Sequence, residues 1–145
     1  MSALSSSWLL WAFLSAVFAA MTAILAKVGI AGVGSDFATF IRTIVILLAI
    51  AAMLTATRGW QAFGSVSTRS YVFLVLSGLA TGASWLCYFR ALKLGDAARV
   101  APIDKLSVVL VAVFGVALLG ERLSMKNWLG VALIGLGALL VASRA

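Results

Sequence analysis

Histidine is absent from this chain, and cysteine and proline each occur once. Without histidine there is no imidazole base near neutral pH and no conventional zinc site. With Cys87 alone, no intrachain disulfide can form. That thiol reads as a small buried hydrophobe rather than a reactive group. Acids are almost as scarce: Asp36, Asp96, Asp104 and Glu121 are the whole set. They include no paired carboxylates, which leaves little for general acid–base chemistry. An enzyme is the least expected class, and neither a metal nor a cofactor is expected.

What the chain has is apolar surface. Its 145 residues are 64% hydrophobic and only 10% charged, with a mean hydropathy of +1.18. Ordinary globular domains are about half apolar and about a quarter charged. A chain this short leaves much of itself at the surface, so no water-soluble core could hide that excess. The expected solvent is lipid. The net charge of +7 comes from eleven Lys and Arg residues scattered singly between apolar runs. Nucleic-acid binders cluster such residues on one face. Here they read as loops that meet anionic headgroups.

A membrane-spanning helix needs about 20 apolar residues. Five segments qualify: residues 8–26, 37–57, 71–92, 96–119 and 128–142. The opening MSALSSSWLLWAFL has no basic n-region and is expected to begin a retained first span rather than a cleaved signal. Trp8 and Trp11 suit the headgroup level. Asp36 is placed to cap the second span. At 95–96, Gly95 is expected to end one helix in the left-handed conformation and Asp96 to cap the next. No soluble domain, linker or repeat stands out, so residues 1–145 read as a single five-helix unit.

Five spans put the termini on opposite sides. Arg58, Arg69, Arg122 and Lys126 then share one side, and Lys27, Arg90, Lys93, Arg99 and Arg144 the other. Orientation follows an excess of positive charge on one side. Four against five is almost none, so insertion in both orientations is expected.

One acid lies among apolar residues, in the stretch PIDKLSVVL at 102–110. If the fourth helix starts at Pro102, a favoured first position, Asp104 lies in the first turn near the headgroups and complements the helix dipole. If it starts at Asp96, Asp104 lies eight residues in, roughly 12 Å deep. The better cap at Asp96 favours the second reading. A charge at that depth costs at least about 2.5–3.5 kcal/mol, so it needs a partner, water or a proton. Lys105 is expected about 100° away around the helix and a poor partner. Arg42, about six residues into the second span, enters from the same side. The two are expected to pair or to bind a charged substrate group together. The plainer alternative is that Arg42 and Lys105 snorkel to the headgroups.

The third span offers a polar stripe at Ser77, Thr81, Ser84 and Tyr88, with Trp85 and Phe89 beside it. It reads either as the wall of a wet cavity or as a helix-packing surface. The fifth span carries Gly130, Gly135, Gly137 and Ala138, which permit close helix contact within the chain or between two copies.

The second half resembles the closing signature of the EamA domain, a family of the drug/metabolite transporter superfamily. The matching elements are A-L-x-x-G-x-A at 91–97, V-A-P at 100–102, Leu106-Ser107, L-G-E-R-L-S at 119–124 and the glycine-rich helix after Trp128. The FATFIRTIV run at 37–45 and the helix pattern extend the likeness to the first half. The resemblance implies a multi-pass carrier that exports small metabolites or drugs, in the inner membrane of a prokaryote. The common family form holds two five-helix units of opposite topology. One unit implies a dimer, a homodimer by default, with an antiparallel arrangement matching the even charge count. It also implies a cavity lined by the first four spans, assembly through the fifth, and a fold role for Glu121.

The expectation is therefore an all-α membrane protein of five spans acting as a dimeric carrier by alternating access. Asp104 is the expected coupling group, protons being one possible coupled ion. Arg42 and Lys105 would hold an anionic group, and Thr81, Ser84, Trp85 and Tyr88 would shape the pocket for a small-molecule substrate. Two alternatives are a flippase for lipid-linked or phosphorylated headgroup substrates and a non-transporting assembly subunit.

Overall fold

The computed structural model describes residues 7–143, so Arg144 of the charge count lies outside the described residues. All the regular structure among them is helical. The helices are α1 (Trp8–Gly29), α2 (Ser35–Ala56), α3 (Thr68–Leu94), α4 (Ala97–Asp104), α5 (Ser107–Leu119) and α6 (Met125–Ala142), with a 3₁₀ turn at Phe63–Ser65. Five stretches are long and apolar enough to cross a membrane, α4 and α5 together making one. Large side chains such as Phe13, Leu47, Leu79 and Leu140 are exposed along them. In lipid that outward apolar surface carries no cost, and the helical backbone satisfies its own polar groups.

The ends of the helices follow local chemistry. α6 begins three residues before the expected Trp128 because the Ser124 hydroxyl accepts the Asn127 amide at 3.3 Å, a side-chain N-cap. α3 begins before Tyr71 because Ser67 takes the Ser70 amide in the same way. Two expected caps are not used. The residue before α2 is Gly34, and Asp36 lies in the first turn, where its carboxylate turns to Arg90. Asp96 does precede α4, but only its backbone carbonyl serves, accepting from Arg99 and Val100. The glycines in the left-handed region are Gly32 and Gly120, not Gly95. Gly95 instead offers its carbonyl to Lys27 Nζ at 2.7 Å.

The fourth span lies where expected, at Ala97–Leu119, but is interrupted. It is not one helix over 96–119 but two, α4 ending at Asp104 and α5 starting at Ser107. Pro102 sits inside α4 rather than at its start. Proline has no amide hydrogen and so cannot close the helical bond to Ala98. Beyond it the backbone tightens into three-residue bonds: Leu106 N to Ile103 O, Val108 N to Lys105 O and Val109 N to Leu106 O. Such a tightened stretch beside a proline is an identifiable cause of a kink.

Two compact units divide the chain. One is Val28–Lys93; the other joins residues up to Lys27 with those from Leu94 onward. In the second unit α6 packs against both α4 and α5. Gly135 suits the close approach, since a methyl there would come within 3.3 Å of Val109 Cγ2, a tight contact. Arg99 donates to the Ala142 carbonyl at 3.0 Å and ties α4 to the end of α6. Ala138 is buried, whereas Gly130 and Gly137 have open space where a side chain would begin. Gly120 ends α5 at φ 70°, and the Glu121 amide then reaches back to the Gly115 carbonyl at 3.1 Å. The Glu121 carboxylate lies against Gly115, where a methyl would meet its Oε2 at 2.7 Å.

Candidate functional site

The unit Val28–Lys93 holds five cations, Arg42, Arg58, Arg69, Arg90 and Lys93, against one acid, Asp36. That acid is already engaged. Arg90 on α3 grips it with both arms of the guanidinium, Nε to Oδ1 at 3.1 Å and Nη2 to Oδ2 at 2.7 Å. Two-pronged geometry is the strongest form of this pair, although both side chains are more than half exposed. One turn further along α3, Lys93 Nζ donates to the Val33 carbonyl at 2.8 Å. The loop between α1 and α2 is thus bound to the end of α3.

Arg42 has no carboxylate left to meet within this unit. Its guanidinium carbon lies 4.2 Å from the centre of the Trp85 ring and 5.4 Å from that of Phe89. Ring faces carry negative charge density and attract a cation without neutralising it. Within this unit the Arg42 charge is therefore met by ring faces and by no carboxylate. Phe89 is buried, and Trp85 and Arg42 are half-buried, so the group is held in a defined place.

Beside this cation runs an open groove of about 450 Å³ between α2 and α3. Thr43, Ile46 and Ile50 form one wall, and Ser77, Thr81 and Trp85 are on the other. Gly78 and Gly82 keep it open, because a side chain at either would meet nothing within 4 Å. Thr43 donates its hydroxyl to the Thr39 carbonyl at 2.8 Å, and Thr81 donates to Ser77 O at 2.9 Å. Both donors are spent on their own helices, so the groove is more apolar than its composition implies.

The structure thus brings Arg42 to Trp85, and puts Trp85 and Thr81 on one groove. Of the expected stripe, Ser77 and Thr81 wall the groove, but Ser84 and Tyr88 do not. Tyr88 is half-buried with its ring edge-on to Phe89. The lining face of α3 runs through Leu74, Ser77, Gly78, Thr81, Gly82 and Trp85, so it takes in half of the hydroxyl stripe and adds two glycines that leave space. Cys87 is exposed rather than buried. Sequence reasoning missed the Asp36–Arg90 pair, although a lone acid in a cationic stretch was a signal that it must find a partner. It also missed Gly78 and Gly82, whose spacing of four was the available clue.

In the other unit, Asp104 stands at the break between α4 and α5. Lys105 Nζ lies 3.2 Å from its Oδ2. The expected poor partner is its partner after all: Lys105 sits in the turn after α4, and its long side chain bends back. The Asp104 side chain is 36% exposed and that of Lys105 54%, so the pair is open. Among the described residues no three His, Cys, Asp or Glu side chains gather as metal ligands.

Comparison with known proteins agrees with this architecture. The model of the EamA-like transporter family matches residues 6–143. A Sinorhizobium protein named as an uncharacterized transporter in the cobO 3′ region is 66% identical over 139 residues, covering 96% of this chain and 99% of that protein. A Proteus mirabilis protein named as a probable 4-amino-4-deoxy-L-arabinose-phosphoundecaprenol flippase subunit, ArnE, is 25% identical over 109 residues, covering 68% of this chain and 96% of that one. No solved structure matches. Five apolar helices, a helical fold throughout the described residues and a family match across nearly the whole length lead to one conclusion: this chain is a membrane protein of the EamA-like transporter family.

Proposed function

We propose that the protein is a dimeric carrier that moves a small molecule bearing an anionic group across the membrane by alternating access. The observation that carries this reading is Arg42: a guanidinium inside a membrane span, held by the Trp85 and Phe89 rings, in a unit whose single acid is bound to Arg90. Placing an arginine there costs about 2.5–3.5 kcal/mol. A charge that costs this much and is left unneutralised within its unit is suited to binding an anion.

Asp104 is the coupling group in this reading. It stands at a broken span, and in carriers broken helices expose backbone groups and charges to a cavity. Protonation would release Lys105 and leave a cation free for cargo; ionisation would restore the pair. The even distribution of basic residues supports antiparallel homodimers, and Gly130 and Gly137 offer open small-residue surface for assembly. The family resemblance supports outward transport, and the bacterial relatives support placement in a bacterial inner membrane. The relative named as a flippase subunit supports a second reading, in which the cargo is lipid-anchored and moves between leaflets.

The test is uptake of a panel of labelled organic anions and cations into proteoliposomes. Arg42→Gln should abolish anion transport, and Asp104→Asn should leave transport but remove its dependence on a proton gradient. Preference for cations, or full activity in Arg42→Gln, would overturn the proposal.

A further inference from the structure

We propose that the α2–α3 groove is a chain-binding site, and that the cargo is an anionic amphiphile with its apolar chain in the groove and its headgroup on Arg42. This rests on the carrier reading above and narrows its substrate class. In a simpler arrangement the protein would bind only the headgroup and leave the chain in bulk lipid; here the protein itself holds the chain.

Three observations lead to this occupant. The groove is a trough, running from Leu74 to Trp85 along α3, roughly 16 Å at about 1.5 Å per residue. Its volume of about 450 Å³ lies within the roughly 300–1,000 Å³ of ligand sites. Its walls offer few hydrogen-bond donors. The Thr43 and Thr81 hydroxyls are spent on backbone carbonyls, which leaves Ser77 as the remaining hydroxyl. A sugar or other polar body would lose its water without compensation there, whereas an apolar chain loses nothing. Finally, a charge stands beside one end of the trough. Trp85 lines that end and carries the Arg42 guanidinium on its face at 4.2 Å, while the far end, at Ile50 and Leu74, is apolar. That polarity matches a molecule with one anionic end and one long apolar end.

Gly78 makes the proposal testable without unfolding the protein. A side chain there would meet nothing within 4 Å, so Gly78→Leu fills the trough without displacing backbone. The protein in phosphatidylcholine nanodiscs is exposed to a decyl phosphate carrying a diazirine in its chain, irradiated and digested at Arg69 and Arg90. A decyl alcohol with the same diazirine serves as the neutral probe. The phosphate probe should label the 70–90 peptide saturably. Unlabelled decyl phosphate should compete and inorganic phosphate should not. Arg42→Gln should weaken labelling roughly 10- to 100-fold, the loss of a contact to a charged group, and Gly78→Leu should abolish it.

Equal labelling by the neutral probe would show a surface that faces bulk lipid and would overturn the proposal. So would competition by inorganic phosphate as strong as that by decyl phosphate, or unchanged labelling in Gly78→Leu. Labelling reports binding alone. Intact labelling without transport would overturn the carrier reading and leave the groove. Transport of chainless anions as fast as decyl phosphate, without saturable labelling, would overturn the groove and leave the carrier.

Discussion

Replacing Trp85 by leucine removes the ring face that lies 4.2 Å from the Arg42 guanidinium and leaves only Phe89, at 5.4 Å. A cation over an aromatic ring gains about 0.5–1 kcal/mol where exposed and about 2 kcal/mol where shielded from water. Both partners here are half-buried in a membrane-spanning hairpin, which places the interaction toward the upper figure, with part retained by Phe89. Trp85→Leu also changes packing area and the groove wall, so the single variant cannot isolate the contact. A double-mutant cycle can. Arg42→Gln, Trp85→Leu and the pair are unfolded in mixed micelles by titration with a denaturing detergent, following helicity. The coupling energy should be favourable, at about 0.5–2 kcal/mol. Trp85→Phe should keep part of it, since tryptophan is the better ring. A coupling within error of zero would refute the claim that the rings hold the guanidinium, and with it the argument that Arg42 is positioned rather than merely tolerated.

Two further outcomes follow from the fold. Gly120→Ala forces an alanine into the left-handed region at φ 70°, costing about 1–2 kcal/mol, to be read as an earlier midpoint in the same titration; an unchanged midpoint would mean that α5 does not end as described. Reporters fused to the C-terminus that are active on only one side of the membrane should both give signal, because basic residues are nearly balanced. Signal from one alone would remove the case for antiparallel pairs.

The spans were legible because hydropathy is a local property. Each of the five stretches crosses the threshold by its own composition, and no distant residue is needed to make it helical in lipid. Their ends were less legible: Ser67 and Ser124 start α3 and α6 three residues early through single hydroxyl bonds, a competition between neighbouring side chains that composition does not resolve. Arg42, Trp85 and Thr81 also stood out in the sequence, since a charge, a large ring and a hydroxyl in apolar runs are conspicuous.

By itself, then, the sequence determined a five-span helical membrane protein with too few acids to balance its cations, because insertion into lipid depends on summed side-chain transfer energies along the chain. Tertiary structure decided which cation takes which acid. Asp36 meets Arg90 across 54 positions, and Arg42 is thereby left to the rings. It also decided which face of α3 lines a groove, since the groove exists only where α2 supplies the other wall. Pairing and empty space depend on three-dimensional distance between helices, a quantity that no run of residues carries.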